Sequence, residues 1–236
     1  MSDRPQLVVA LDVPDPATAR QMAETLRGQV DLLKVGLQLF VAAGPGFVAE
    51  MIDRGWRIFL DLKFHDIPAT TAGAVKAAVE LGVELLTLHA SGGTRMMEAA
   101  VAARGRAATP RLLAVTLLTS LQASDLRRLG QEPTPAAVVA GMAKAAHQSG
   151  CDGVVASAHE AVRIKQQRGP EFLVATPGIR PAGFAVDDQA RVATVAAAIG
   201  AGADYLILGR PILRADDPAQ AARAIRAEME TVDARR

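Results

Sequence analysis

Eight short runs of β-favouring residues punctuate the chain at regular intervals. They are "QLVVALD" (6–12), "DLLKVG" (31–36), "RIFLDLK" (57–63), "ELLTLHA" (84–90), "RLLAVTLLT" (111–119), "DGVVAS" (152–157), "EFLVATPG" (171–178) and "DYLILGR" (204–210). Each is apolar throughout rather than alternating, which is the mark of strands covered on both faces, as in parallel sheets. Between them lie Ala-rich segments of helical period, such as "PATARQMAETL" and "TTAGAVKAAVEL". In "TPAAVVAGMAKAAHQSG", Thr134 stands as N-cap, Pro135 opens the first turn and Gly150 closes the segment. Asp217 before Pro218 caps a last helix in the same way. Eight strands, each followed by a helix, in 236 residues predict a (β/α)8 TIM barrel of α/β class, a single domain over 1–236. The structural alternative is a doubly wound open sheet, but no GxGxxG follows the first strand. The stretch 120–135 reads as a long loop with one short helix, either a candidate active-site loop or a surface insertion.

Composition narrows the function classes. Half of the chain is hydrophobic, and 26 basic against 25 acidic residues leave a formal net charge of +1. No nucleic-acid or membrane surface is expected from that balance. No apolar run reaches the length of a membrane span, and the opening "MSDRPQ" lacks the regions of a signal peptide. With Cys151 as the only cysteine, no internal disulfide can form, and a cytoplasmic setting is expected.

In barrels of this kind chemistry gathers at the C-terminal ends of the strands. Those ends carry Asp12, Lys34, Asp61 with Lys63, His89, Thr119, Ser157, "TPGIRP" and Gly209-Arg210. Asp61 and Lys63 are two apart, so on a regular strand both point to the same side. With Asp12 and Lys34 they predict carboxylates and ammoniums alternating in one pocket; a structural ion-pair network is the other reading. Lysine usage favours chemistry. The chain holds 21 arginines and five lysines, so drawing lysine at both positions for charge alone would happen roughly one time in 25 at this usage. Lysine can donate a proton near neutral pH, and arginine cannot. Gly209 and Arg210 end the eighth strand where such barrels hold phosphate, with Gly178 and Arg180 arriving from the seventh. The competing reading is an arginine that caps the next helix or pairs with Asp216 or Asp217. His65 and His89 lack HxH or HExxH spacing, so no zinc site is expected.

Taken together these segments resemble the orotidine 5′-phosphate decarboxylase family. "VALDVP", "LLKVGLQLF", "DLKFHDIPAT", "AVTLLTS", "VATPGIRPAG" with "DDQARVAT", and "DYLILGRPI" follow the family's order along nearly the whole chain. "DLKFHDIP" is the most specific block; just after it, Ala69 stands where the family commonly carries asparagine. The resemblance implies decarboxylation of a nucleotide, orotidine 5′-phosphate, to uridine 5′-monophosphate. It implies Lys63 as proton donor, Asp61 beside the substrate carboxylate, and Lys34 and Asp66 completing the charge network. It further implies Asp12 and Thr119 on the nucleotide, with Arg180, Gln189, Gly209 and Arg210 mainly at the phosphate end. A homodimer is implied, in which Asp66, Ile67 and Thr70 reach into the partner's site. No metal or organic cofactor is implied. The loop 178–188 would close as a lid. Two other readings share these residues. One is a metal-dependent sugar-phosphate decarboxylase or aldolase on a related barrel, whose members share D-x-K-x-x-D but resemble each other in a carboxylate on the second strand. The other is a non-catalytic nucleotide-binding barrel, whose expected mark is a lost network residue, and none is missing.

Overall fold

Continuously apolar strands need cover on both sides, and a closed sheet supplies one side from its own interior. The computed structural model describes residues 4–121, 123–128, 134–181 and 192–234. In it β1 (Gln6–Ala10), β2 (Leu32–Gly36), β3 (Ile58–Phe64), β4 (Leu85–His89), β5 (Arg111–Val115), β6 (Gly153–Val155), β7 (Leu173–Thr176) and β8 (Tyr205–Leu208) pair in chain order. All pairings are parallel, and β8 returns to β1 with Gln6 opposite Tyr205, which closes the barrel. The predicted (β/α)8 barrel is therefore observed, and the open sheet is excluded.

Helices fill the crossovers: α1 (Pro16–Thr25), α2 (Leu37–Asp53), α3 (Pro68–Leu81), α4 (Thr94–Arg104), the short α5 (Ala123–Arg128), α6 (Pro135–Gln148), α7 (Ala158–Arg168), α8 (Val195–Gly200), the one-turn α9 (Arg210–Leu213) and α10 (Pro218–Asp233). Their ends follow local chemistry. Thr134 caps α6 by accepting from Ala137 N, and Asp217 caps α10 by accepting from Gln220 N. Gly82 ends α3 in the left-handed region at φ 79°. α2 breaks where Gly44 turns to φ 69° ahead of Pro45. The strands stop sooner than their apolar runs suggest; β5 ends at Val115, Thr116 still donates to Val155 O of β6, and 117–119 lie outside any strand.

Period-two alternation sorts each strand between two cores. Val8, Leu32, Phe59 and Leu85 fill the barrel interior, while their neighbours Val9, Leu33, Leu60 and Leu86 pack outward against the helices. The same parity carries upward. Two residues beyond Leu32 is Lys34, two beyond Phe59 is Asp61, and two beyond Leu85 is Thr87, so these side chains stand over the apolar interior.

Between β6 and β7 the close approach of the backbones requires glycine. A Cβ on Gly153 would lie 2.2 Å from the Leu173 carbonyl oxygen, and backbone cannot yield as a side chain does. We expect Gly153→Ala to lower stability by about 1–3 kcal/mol or more, read as a lower urea midpoint at unchanged slope.

Candidate active site

Four charged residues from three strand ends form a single chain of alternating sign. Lys63 Nζ stands 2.8 Å from Asp61 Oδ1 and 2.9 Å from Oδ2. Lys34 Nζ stands 3.2 Å from Asp61 Oδ2 and 3.3 Å from Asp12 Oδ1. The order Asp12–Lys34–Asp61–Lys63 sums to zero charge, which is what lets Lys34 and Asp61 sit with only a tenth of each side chain exposed. Burial by itself would discharge Lys34, but Asp61 and then Asp12 outweigh it and hold its pKa above the ordinary lysine value. Burial likewise opposes the Asp61 anion, and Lys34 and Lys63 outweigh it, so its pKa lies below the ordinary carboxylate value.

Asp61 and Lys63 meet as expected, but not through a regular strand. β3 slips against β4: Leu60 pairs with Leu86, then Phe64 with Leu88. Lys63 occupies the left-handed region at φ 52°, the one non-glycine residue among those described that does so. Such a conformation costs about 1–3 kcal/mol. Bulges of this kind re-aim a side chain at a strand end.

Two residues that sequence reasoning passed over shape the network. Thr87, fully buried on β4, donates from Oγ1 to Asp61 Oδ1 at 2.9 Å and accepts from Lys63 N at 2.9 Å. Its signal was a hydroxyl inside the apolar run "ELLTLHA". Gly36 makes room: a Cβ there would lie 3.0 Å from Lys34 Nζ and 3.2 Å from Asp12 Oδ1. Its signal was a glycine two residues after a strand-end lysine.

The network borders a cavity of about 620 Å³ at the C-terminal mouth of the barrel. Asp12, Lys34, Asp61, Lys63, Thr119, Arg180, Gly209 and Arg210 all line it, as the strand ends predict. Phe59, Val115, Val155 and Ile207 supply its apolar wall. Charged strand ends therefore stand above an apolar interior layer, and two arginines follow β7 and β8. Arg180 is buried and donates from Nη1 to the Ile179 carbonyl. Beside it, Ile179 bridges to Ala193, and Arg180 N donates to Ala193 O at 2.8 Å. Gln189 and residues 182–188 of the expected lid lie outside the described residues.

Other expected residues stand apart. Asp66, Ile67 and Thr70 are exposed and do not line the cavity of their own chain; the Asp66 carboxylate accepts from Ile67 N at 2.6 Å. Ser157 turns to Glu160 in the first turn of α7. His65 and His89 lie ring against ring at 5.2 Å, and burial, then His65 and Lys63, push the His89 pKa down. Cys151 is a buried thiol pushed up to about 12, chiefly by burial, so it packs as a small apolar group. Among the described residues, no group of three or more His, Cys, Asp or Glu side chains is placed to hold a metal, and no helix is long and apolar enough to cross a membrane.

Asp61→Asn would leave buried Lys34 with Asp12 alone. The expected loss near neutral pH is up to about 3–5 kcal/mol, the cost of breaking a buried pair from one side. Because the folded-state pKa of Asp61 is depressed, its stabilisation is present above the ordinary value of 3.8 and fades as pH falls through the lower folded value. Urea midpoints should thus show a smaller acid-side loss in Asp61→Asn than in the unmutated protein.

Comparison with known proteins places this architecture. The model of the orotidine 5′-phosphate decarboxylase / HUMPS family matches residues 5–225. A protein from Moorella thermoacetica named orotidine 5′-phosphate decarboxylase is 49% identical over 239 residues, spanning 98% of this chain and 95% of its own length. One of the same name from Halorhodospira halophila is 50% identical over 226 residues, spanning 95% of this chain and 96% of its own. The crystal structure of orotidine 5′-phosphate decarboxylase from Lactobacillus acidophilus superposes with a TM-score of 0.85 at 36% identity, covering 96% of this chain and 99% of that one. With the family match spanning the whole barrel and the relatives matching end to end, the chain belongs to the orotidine 5′-phosphate decarboxylase / HUMPS family.

Proposed function

We propose that this chain decarboxylates orotidine 5′-phosphate to uridine 5′-monophosphate and carbon dioxide, a step of pyrimidine biosynthesis. The observation that carries the reading is the Asp12–Lys34–Asp61–Lys63 chain beside a cavity that also holds Arg180 and Arg210. The C–C bond to the substrate carboxylate breaks, and its electron pair stays on C6 of the pyrimidine. The Lys63 ammonium stabilises that charge and then gives C6 a proton, so a neutral amine remains to be reprotonated from water. Asp61 stands beside the leaving carboxylate, and their repulsion is relieved as carbon dioxide departs. Lys34 keeps Asp61 ionised and fixed. Asp12 and Thr119 hold the nucleotide. Arg180, Gly209, Arg210 and Gln189 bind its phosphate end, so that binding energy far from C6 holds the reacting ring in place.

A metal-dependent sugar-phosphate decarboxylase or aldolase is the rival within the same barrel. It would need a carboxylate where β2 ends. Lys34 stands there, and the two aspartates beside it hold it as an ammonium, which ligates no metal. A non-catalytic barrel would have no use for the strain held at Lys63.

The deciding experiment mixes the purified protein with orotidine 5′-phosphate and EDTA, following absorbance and carbon dioxide release. Turnover is expected to persist without metal, and Lys63→Arg to abolish it, since arginine neither fits nor gives up its proton. Activity that vanishes with EDTA and returns with magnesium would assign the protein to the rival, and near-normal kcat in Lys63→Arg would remove lysine from the proton step.

The proposed assembly is a cytoplasmic homodimer in which Asp66, Ile67 and Thr70 serve the partner's site. Two features support it. Asp66 turns away from its own cavity, and Ile67 beside it exposes 66% of its surface, apolar area that a second copy would cover. Mixing Lys63→Ala with Asp66→Ala under subunit exchange should restore about a quarter of full activity, since about half the dimers are mixed and each carries one intact site. If each chain used its own Asp66, no activity would return.

A further inference from the structure

The strained residue and the central anion of the network share one neighbour, and that neighbour is neither charged nor in the cavity wall. Between the pairs Leu60–Leu86 and Phe64–Leu88, three residues of β3 (Asp61, Leu62 and Lys63) stand opposite a single residue of β4, Thr87. In that gap the Lys63 N–H donates to Thr87 Oγ1 at 2.9 Å. A hydroxyl carries one proton. With Oγ1 accepting from Lys63, that proton goes to Asp61 Oδ1, also at 2.9 Å. Both directions are thereby set: a backbone amide that can only donate lies on one side, and an ionised carboxylate that can only accept lies on the other. Thr87 itself has no freedom to wander. It is fully buried, and its β-branched side chain restricts χ1.

We propose that Thr87 is a positioning residue of the decarboxylation site, its hydroxyl tying the left-handed turn at Lys63 to the carboxylate of Asp61. It makes no contact with the cavity and acts through the two residues it joins. On one side it satisfies the amide that the bulge takes out of the strand ladder, which helps offset the strain of a non-glycine residue at φ 52°. On the other it holds one Asp61 oxygen, leaving the carboxylate plane to be shared by the two lysines. Removing the hydroxyl would let the turn relax and the Lys63 ammonium drift from its place. Misplacement of a reacting group by about 1 Å can cost on the order of 100-fold in rate. The inference rests on the reading of Lys63 and Asp61 given above.

Thr87→Val keeps the branched shape and deletes the hydroxyl, whereas Thr87→Ser keeps the hydroxyl. For orotidine 5′-phosphate, Thr87→Val should lower kcat by about 100-fold with KM nearly unchanged, and Thr87→Ser should restore most of the rate. In the ligand-free protein, amide hydrogen exchange at Lys63 should speed up in Thr87→Val and stay slow in Thr87→Ser. Should Thr87→Val fail to fold, Thr87→Ala is measured in the same way, with the same expected losses. A normal kcat without the hydroxyl, a serine variant no better than valine, or unchanged exchange at Lys63 would each overturn the proposal. Absence of decarboxylation in the unmutated protein would instead overturn the functional reading, and the exchange measurement would still decide whether Thr87 holds the turn.

Discussion

Asp61 is the hinge of this structure. It is a buried anion that two ammoniums and one hydroxyl address at once. Without Lys34 and Lys63 its burial would favour the neutral acid; without Asp61, Lys34 would be a cation sealed above an apolar interior. Each member makes the others' charge tolerable. The fold then holds four charges in a few ångströms without leaving any of them alone.

That arrangement depends on closure. In a closed sheet every second residue faces inward, and toward the strand ends the inward positions change from Val8, Leu32, Phe59 and Leu85 to Asp12, Lys34, Asp61 and Thr87. The apolar layer below excludes water and raises the strength of each interaction above it. On the other side of β1 from Lys34, Arg180 and Arg210 follow β7 and β8, the latter paired directly with β1. A ligand with an anionic group at one end and a reacting carbon at the other would span the cavity between the two charged regions.

The price of such a site is local strain, and it falls at one residue. Lys63 adopts a backbone conformation that lysine disfavours, and β3 loses register to allow it. Gly36 contributes by absence, since any side chain there would press on Lys34 Nζ. Neither feature leaves a motif of its own. Both are settled where successive strands pack side by side, β3 against β4 and β2 against the end of β1.

Much was legible in order and type. The alternation of apolar runs with Ala-rich segments pointed to parallel strands covered on both faces, and their number, eight, to a barrel; the pairing of β8 with β1 closed it. Thr134 and Asp217 marked helix starts through chemistry that acts within a few residues. Strand-end position and scarce lysine singled out Asp12, Lys34, Asp61 and Lys63, and all four meet. What could not be read was how they meet. The same-side argument for Asp61 and Lys63 assumed a regular strand, and the actual contact runs through a bulge. Thr87, 24 residues beyond Lys63, joins the network only because β4 lies beside β3. Period, capping and residue type are local properties that the sequence by itself determines; register, strain and the direction of a hydroxyl's single proton arise between strands, and only tertiary packing decides them.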